Sequence, residues 1–151
     1  MASIAAQKIT PYLWYDHQAL EAAEFYCSLF PDSQITSKSK MIVTFDLAGL
    51  SLIALNGGPQ FSFNEAISLM IHCEDQVEVN HFWDNLTANG GSESRCGWLK
   101  DRFGLSWQVV PIRFMEMMSS GDPQQTKRVM DALLQMNKIE LPVLEAAFAK
   151  K

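Results

Sequence analysis

Few side chains in this sequence are spaced for familiar catalysis. The three histidines, His17, His72 and His81, show no HxH or HExxH spacing that would set two imidazoles on one metal. Cys27, Cys73 and Cys96 are odd in number and form no CxxC pair, which suits reduced thiols in the cytoplasm. Cys27 and Cys73 sit in apolar-patterned segments and are expected in the core. Cys96, in a Gly-rich turn beside Trp98, is the one thiol placed to react. The paired glycines, Gly57-Gly58 and Gly90-Gly91, do not make the GxGxxG turn that cradles a nucleotide-type methyl donor. No Ser-His-Asp or paired-carboxylate arrangement can be read from spacing. Residues 56–64 form either a turn-rich linker or a flap offering the amides of Asn56 and Asn64 and the rings of Phe61 and Phe63. Lys100-Asp101-Arg102 reads as a solvated turn, and Ser119, Ser120 and Asp122 as helix caps.

The elements that must position these groups repeat. Residues 9–15 (ITPYLWY) are β-branched and aromatic and end at Asp16, which predicts a strand. Over 18–30, Ala19, Ala22, Ala23, Tyr26 and Phe30 recur at helical spacing, and Pro31-Asp32-Ser33 stops the helix. Short strands follow at 35–37, 41–47 and 51–55. A second β-α-β-β-β series has a strand at 66–73, a helix at 76–88 closed by Asn89-Gly90-Gly91, and strands near 92–96, 99–102 and 105–111. Asp16 matches Asp75, Phe25-Tyr26 with Leu29 matches Phe82-Trp83 with Leu86, and Gly49-Leu50-Ser51-Leu52 matches Gly104-Leu105-Ser106-Trp107. Trp83 and Trp107 are expected in the core. The fold class is α+β: two tandem βαβββ modules (9–56 and 66–111) joined by a linker at 57–65. A tail at 112–151 follows, with helices over 124–136 and 141–149, and the whole is read as one domain.

Composition excludes several functions. A chain of 151 residues, 48% apolar and 19% charged, is globular. Its formal charge of -5, with no basic run, argues against nucleic acid and anionic membranes as partners. No stretch approaches the ~20 apolar residues of a membrane span, and residues 1–8 lack the pattern of a signal peptide.

The duplicated unit resembles the vicinal-oxygen-chelate superfamily of glyoxalases, bleomycin-resistance proteins and dioxygenases. It is closest to the PhnB-like group that carries the 3-demethylubiquinone-9 3-methyltransferase label. The resemblance is carried by Ile9-Thr10-Pro11 with Trp14, Ala22-Ala23-Glu24-Phe25-Tyr26 with Leu29-Phe30-Pro31, the run ALNGGPQF at 54–61 with Phe63-Asn64, CGWLKD at 96–101, and FGLSWQVVP at 103–111. Residues 35–41 are shorter than the family's usual glycine-rich loop there, which opens a pocket edge or trims a dimer contact.

The resemblance implies curved sheets with a pocket on the concave side. With strand alternation it places Ser68, Met70, His72, Ser106, Gln108, Ile53 and Leu55 on that side, and Ile67, Leu69, Ile71, Trp107 and Val109 under the helices. The expected pocket set is Trp14, Ile53, Asn56, Phe61, Phe63, Ser68, Met70, His72, Trp98 and Gln108. In metal-dependent relatives four matching strand positions supply His, Glu or Gln. Here they fall on Ile9 or Pro11, Ile53, Ser68 and Gln108, so no metal and no cofactor is expected. The expected function is metal-free binding of an unidentified small molecule by a cytoplasmic homodimer. The alternative is a metal-dependent glyoxalase- or dioxygenase-type enzyme, while methyl transfer has no support in the loops.

Overall fold

The computed structural model describes residues 7–150; the reading of residues 1–8 as free of a leader falls largely outside them. The chain divides into two compact units, the first ending at Phe63 and the second starting at Asn64.

The first unit runs β1 (Tyr12–Tyr15), α1 (Ala19–Leu29), β2 (Gln34–Lys38), β3 (Ile42–Leu47) and β4 (Leu50–Asn56). Its sheet has the order β1-β4-β3-β2, with β1 parallel to β4 and the other pairs antiparallel. Alternation sends Leu13, Tyr15, Val43, Phe45, Leu47, Leu52 and Ala54 to the buried side, where Ala22, Ala23 and Tyr26 of α1 are also fully buried. The phenol oxygens of Tyr15 and Tyr26 meet at 3.0 Å, so neither hydroxyl is buried unpaired. Helix α1 has no side-chain cap of its own. Its first amide, Ala19 N–H, instead donates to Asn56 Oδ1 at 2.8 Å from the end of β4.

The second unit repeats the plan with β5 (Ser68–Cys73), α2 (Gln76–Thr87), β6 (Ser92–Glu93), β7 (Trp98–Lys100) and β8 (Ser106–Pro111). Its sheet order, β5-β8-β7-β6, and its parallel β5–β8 pair copy the first unit. Two βαβββ modules of mixed, curved sheet are therefore present, as the repeat in sequence requires. Asp75 caps α2 by accepting Glu78 N–H at 2.9 Å. Ile71, Cys73, Trp107 and Val109 pack on the side of Val79, Phe82, Trp83 and Leu86.

Three further helices follow: α3 (Ile112–Ser120), α4 (Pro123–Leu133) and α5 (Leu141–Ala149). Sequence periodicity finds α4, within a few residues, and α5 but misses α3. That helix starts directly from β8 at Pro111, with no capping side chain to announce it. Asp122 caps α4 in a reciprocal box with Gln125, whereas Ser119 and Ser120 donate back to Glu116 O inside α3 and cap nothing ahead of them.

Two expectations are overturned. Ile67, expected under the helices, precedes β5 and is 65% exposed, because the strand begins only at Ser68. Asp101 is not a solvated turn residue but is 2% exposed. Its carboxylate accepts Phe103 N–H at 2.9 Å, Leu105 N–H at 3.1 Å and Trp107 Nε1–H at 2.9 Å. The buried indole N–H needs an acceptor, and the turn at Gly104 (φ +90) brings the chain back to supply one. Asp101→Ala is expected to cost about 3 kcal/mol, because two buried donors and one part-buried donor lose their acceptor. Urea unfolding with unchanged slope and a lowered midpoint is the check.

Candidate functional site

A helix covers one face of each sheet, and the opposite, concave face is where side chains can meet a ligand. In the second unit that face carries Ser68, Met70 and His72 of β5, Trp98 and Lys100 of β7, and Ser106, Gln108 and Val110 of β8. The register sets them in rows: Ser68 beside Ser106, Met70 beside Gln108, and Trp98 opposite Gln108. Gln108 Nε2 donates to Ser68 Oγ at 2.8 Å, which fixes the amide and leaves its carbonyl oxygen without a partner among the described residues. Lys100 is held in an ion pair with Glu65, whose carboxyl this hydrogen bond keeps below the usual range. His72 is exposed at the outer edge strand, and Ser106, 1% exposed, has a hydroxyl without a hydrogen-bond partner.

The tail turns part of this face into a cavity. Val110 belongs to one apolar cluster with Met117, Val129, Leu133, Ile139 and Leu144, so α3, α4 and α5 pack on the concave side of β8. Beside that contact lies an open cavity of about 570 Å³. Met70, Trp98, Gln108 and Val110 line it from the sheet, and Phe114, Met115, Met118 and Met130 from the tail. Cys96 is also in its wall. The tail is fixed there by main-chain bonds: Cys96 N–H to Met136 O at 2.9 Å and Gly97 N–H to Asn137 O at 2.8 Å. Gln76 adds two more, to Ile139 O and from Leu141 N–H. Gly97 must be glycine: its φ is +86, and a Cβ would lie 2.9 Å from Ile139 Cδ1 and 3.0 Å from Val109 O.

In the first unit the same face is mostly hydroxylic. Thr44 Oγ1 bonds to Thr36 Oγ1 and Ser37 Oγ, and Ser51 Oγ donates to Asp46 Oδ1 at 2.6 Å. Ile53 lies half-buried among them. Trp14 sits on this face too, its Nε1–H donating to Gly58 O at 2.9 Å and its ring edge-on to Phe61 at 4.9 Å. The ring passes so close to Gly57 that a Cβ there would stand 2.4 Å away. Phe61 is nevertheless 64% exposed, and Phe63 packs edge-on to Tyr15. The Asn56 amide is engaged within the unit: its oxygen receives Ala19 N–H, and its nitrogen donates to Lys40 O at 2.8 Å. Of the ten expected pocket residues, Met70, Trp98 and Gln108 line one cavity and Ser68 braces it. His72 stands on the same sheet outside it, and the other five belong to the first unit. Met115 and Met118 stand out in the sequence as part of a methionine-rich tail suited to an adaptable contact surface, but their place in the cavity wall, with Phe114, is missed because α3 is.

The register corrects the counting of the four ligand positions. Tyr12 pairs with Ile53 as Met70 pairs with Gln108, so the residue equivalent to Ser68 is Thr10, one place from either Ile9 or Pro11. Two hydroxyls, one aliphatic side chain and one amide do not make the imidazole and carboxylate set that a divalent ion needs. Among the described residues no three His, Cys, Asp or Glu side chains are grouped to hold an ion.

The model of the 3-demethylubiquinone-9 3-methyltransferase family matches residues 7–110. The chain belongs to this PhnB-like family of the vicinal-oxygen-chelate superfamily. A Bacillus cereus PhnB protein of known structure is 30% identical, with a TM-score of 0.64 over 70% of this chain and 99% of its own. A Pseudomonas aeruginosa protein (19% identity, TM-score 0.56, 68% and 96% covered) shares the fold. So does a glyoxalase/bleomycin resistance protein from Albidiferax ferrireducens (13%, 0.52, 68% and 95%). No curated protein matches the chain. Among the described residues no helix is long and apolar enough to cross a membrane.

The three thiols differ in reactivity for physical reasons. Burial, with Glu78 and Asp75 adding to it, pushes the Cys73 thiol up to about 12, and burial followed by Asp46 raises that of Cys27. Both are kept protonated at neutral pH, and Cys73 is also out of reach. Iodoacetamide at pH 8 should therefore modify Cys96 first, Cys27 slowly and Cys73 only after unfolding, as mass spectrometry of digests will show.

Proposed function

We propose that the protein binds a small, neutral aromatic molecule on the concave face of its second module, without a metal. The observation that carries this reading is the cavity of about 570 Å³ between that face and the tail. Its wall is apolar except for the Gln108 amide and a few small polar groups. Such a wall favours a flat apolar body, and the unpaired Gln108 carbonyl oxygen favours one hydroxyl or N–H on it. A charged ligand would find no unpaired counter-charge there, since the ammonium of Lys100 is taken by Glu65. Wild-type protein should bind 1-naphthol in isothermal titration. Gln108→Ala should weaken that binding about fivefold, the loss of one hydrogen bond of ~1 kcal/mol. Affinity unchanged by the substitution would move the ligand elsewhere.

We also propose a homodimer in a reducing, cytoplasmic setting. Free cysteines suit that compartment. Of the five methionines after Arg113, Met117 is fully buried and Met118, Met130 and Met136 pack in the tail's own cluster, which leaves Met115, 44% exposed, to meet a partner. The sheets argue for one: β1, β2, β5 and β6 are edge strands, and exposed Tyr12 and Met70 lie on two of them. Light scattering at micromolar concentration should report twice the chain mass of 17.0 kDa. A monomer that persists on concentration would exclude this assembly.

A further inference from the structure

We propose that the C-terminal helices are the specificity wall of this cavity, and that the thioethers of Met115 and Met118 select a planar aromatic guest over a saturated one of equal size. This rests on the reading of the cavity as a ligand site. The family model stops at Val110, and the Bacillus cereus structure is matched over 99% of its length by 70% of this chain. Helices α3–α5 therefore lie outside the part that defines the family, yet α3 and α4 supply Phe114, Met115, Met118, Ser119, Met130 and Leu133, half of the residues around the cavity.

The wall is a permanent part of the second unit. The turn at Cys96–Gly97 donates two backbone amides to the loop after α4, and Gln76 bonds the loop before α5 in both directions. Arg113 ties α3 to α5 through Glu145 at 2.7 Å, and Arg128 Nε donates to Ala147 O at 2.9 Å near the end of α5. A buried cluster from Val110 to Leu144 closes the joint. Within this fixed frame the cavity side chains are of an adaptable type. Met115 and Met118, three residues apart on α3, share one helix face, and Met70 and Trp98 line the same cavity from the sheet. Thioethers are polarisable, adapt their rotamers, and make favourable contacts with aromatic rings that they do not make with saturated ones. A sheet face with Trp98 and a tail face with methionines would hold a ring on both sides, while Gln108 takes its polar edge.

The test compares 1-naphthol with decahydro-1-naphthol, its saturated analogue, by titration calorimetry on the full chain. Wild type is expected to prefer naphthol. The double variant Met115→Leu/Met118→Leu keeps volume and should keep the fold, checked by an unchanged melting midpoint. Its preference for naphthol should fall at least fivefold, with decahydronaphthol affinity nearly constant. Separately, Met115→Trp at the half-exposed mouth should weaken naphthol at least tenfold by filling the cavity. If Gln108→Ala weakens naphthol while the leucine variant keeps the wild-type preference, the selective wall is overturned and the site stands. The wall is overturned equally if Met115→Trp binds like wild type. If wild type does not bind naphthol, the site reading and the wall fall together.

Discussion

A four-stranded sheet has two faces, and one helix covers only one of them. Everything specific to this protein follows from what is done with the other. In each module strand alternation delivers a full set of apolar side chains to α1 or α2, and these burials supply most of the driving force for folding. The alternate residues are then committed to the far face whether or not anything lies there. In the second unit, Met70, Trp98 and Val110 are too apolar to be left open together, and the tail covers the Val110 end. In the first unit the far face is instead threonine, serine and aspartate, which pair with one another and need less cover. Where it does turn apolar, at Trp14, the chain after β4 folds back with Gly57, Gly58 and Phe61.

The period-2 pattern of the strands and the stop signals after each helix make the modules legible in the sequence, with boundaries within about two residues in most elements. What the sequence hides best is a side chain whose role is set by a distant partner. Asp101 reads as solvated between two basic residues, and only the position of Trp107 Nε1 shows why a carboxylate must be buried there. Asn56 reads as a ligand amide, and nothing in its local sequence shows that α1, which begins without a local cap, recruits its oxygen across 37 residues of chain. The slip at Thr10 comes from counting back from Asp16 instead of along the β1–β4 ladder, which Ile53 N–H to Pro11 O fixes at 3.1 Å.

Membership of the family settles the fold and leaves the chemistry to the residues at the site. At the four strand positions where a metal would be held, the side chains are those of Thr10, Ile53, Ser68 and Gln108. Gln108 is the one with an amide carbonyl, and its nitrogen is spent on Ser68. That carbonyl can orient a ligand, and the Cys96 thiol and Ser119 hydroxyl are also polar side-chain groups of the cavity wall. His72 stands exposed on the same sheet, outside the cavity.

What distinguishes this chain from the part that defines its family is the cost and the use of its extra helices. Some forty residues are ordered against one strand face, and their conformational entropy must be offset by burial of Met117, Val129, Leu133, Ile139 and Leu144. That burial needs only the Val110 end of β8. Yet α3 also brings Met115 and Met118 into the wall of the cavity that Trp98, Gln108 and Met70 line from the sheet, and a gap is left between them. A tail present for stability alone would close such a gap, since a void forfeits dispersion contacts on both walls. One lined by flexible side chains, open at the mouth and carrying a single fixed amide is better suited to admitting a guest than to completing a core.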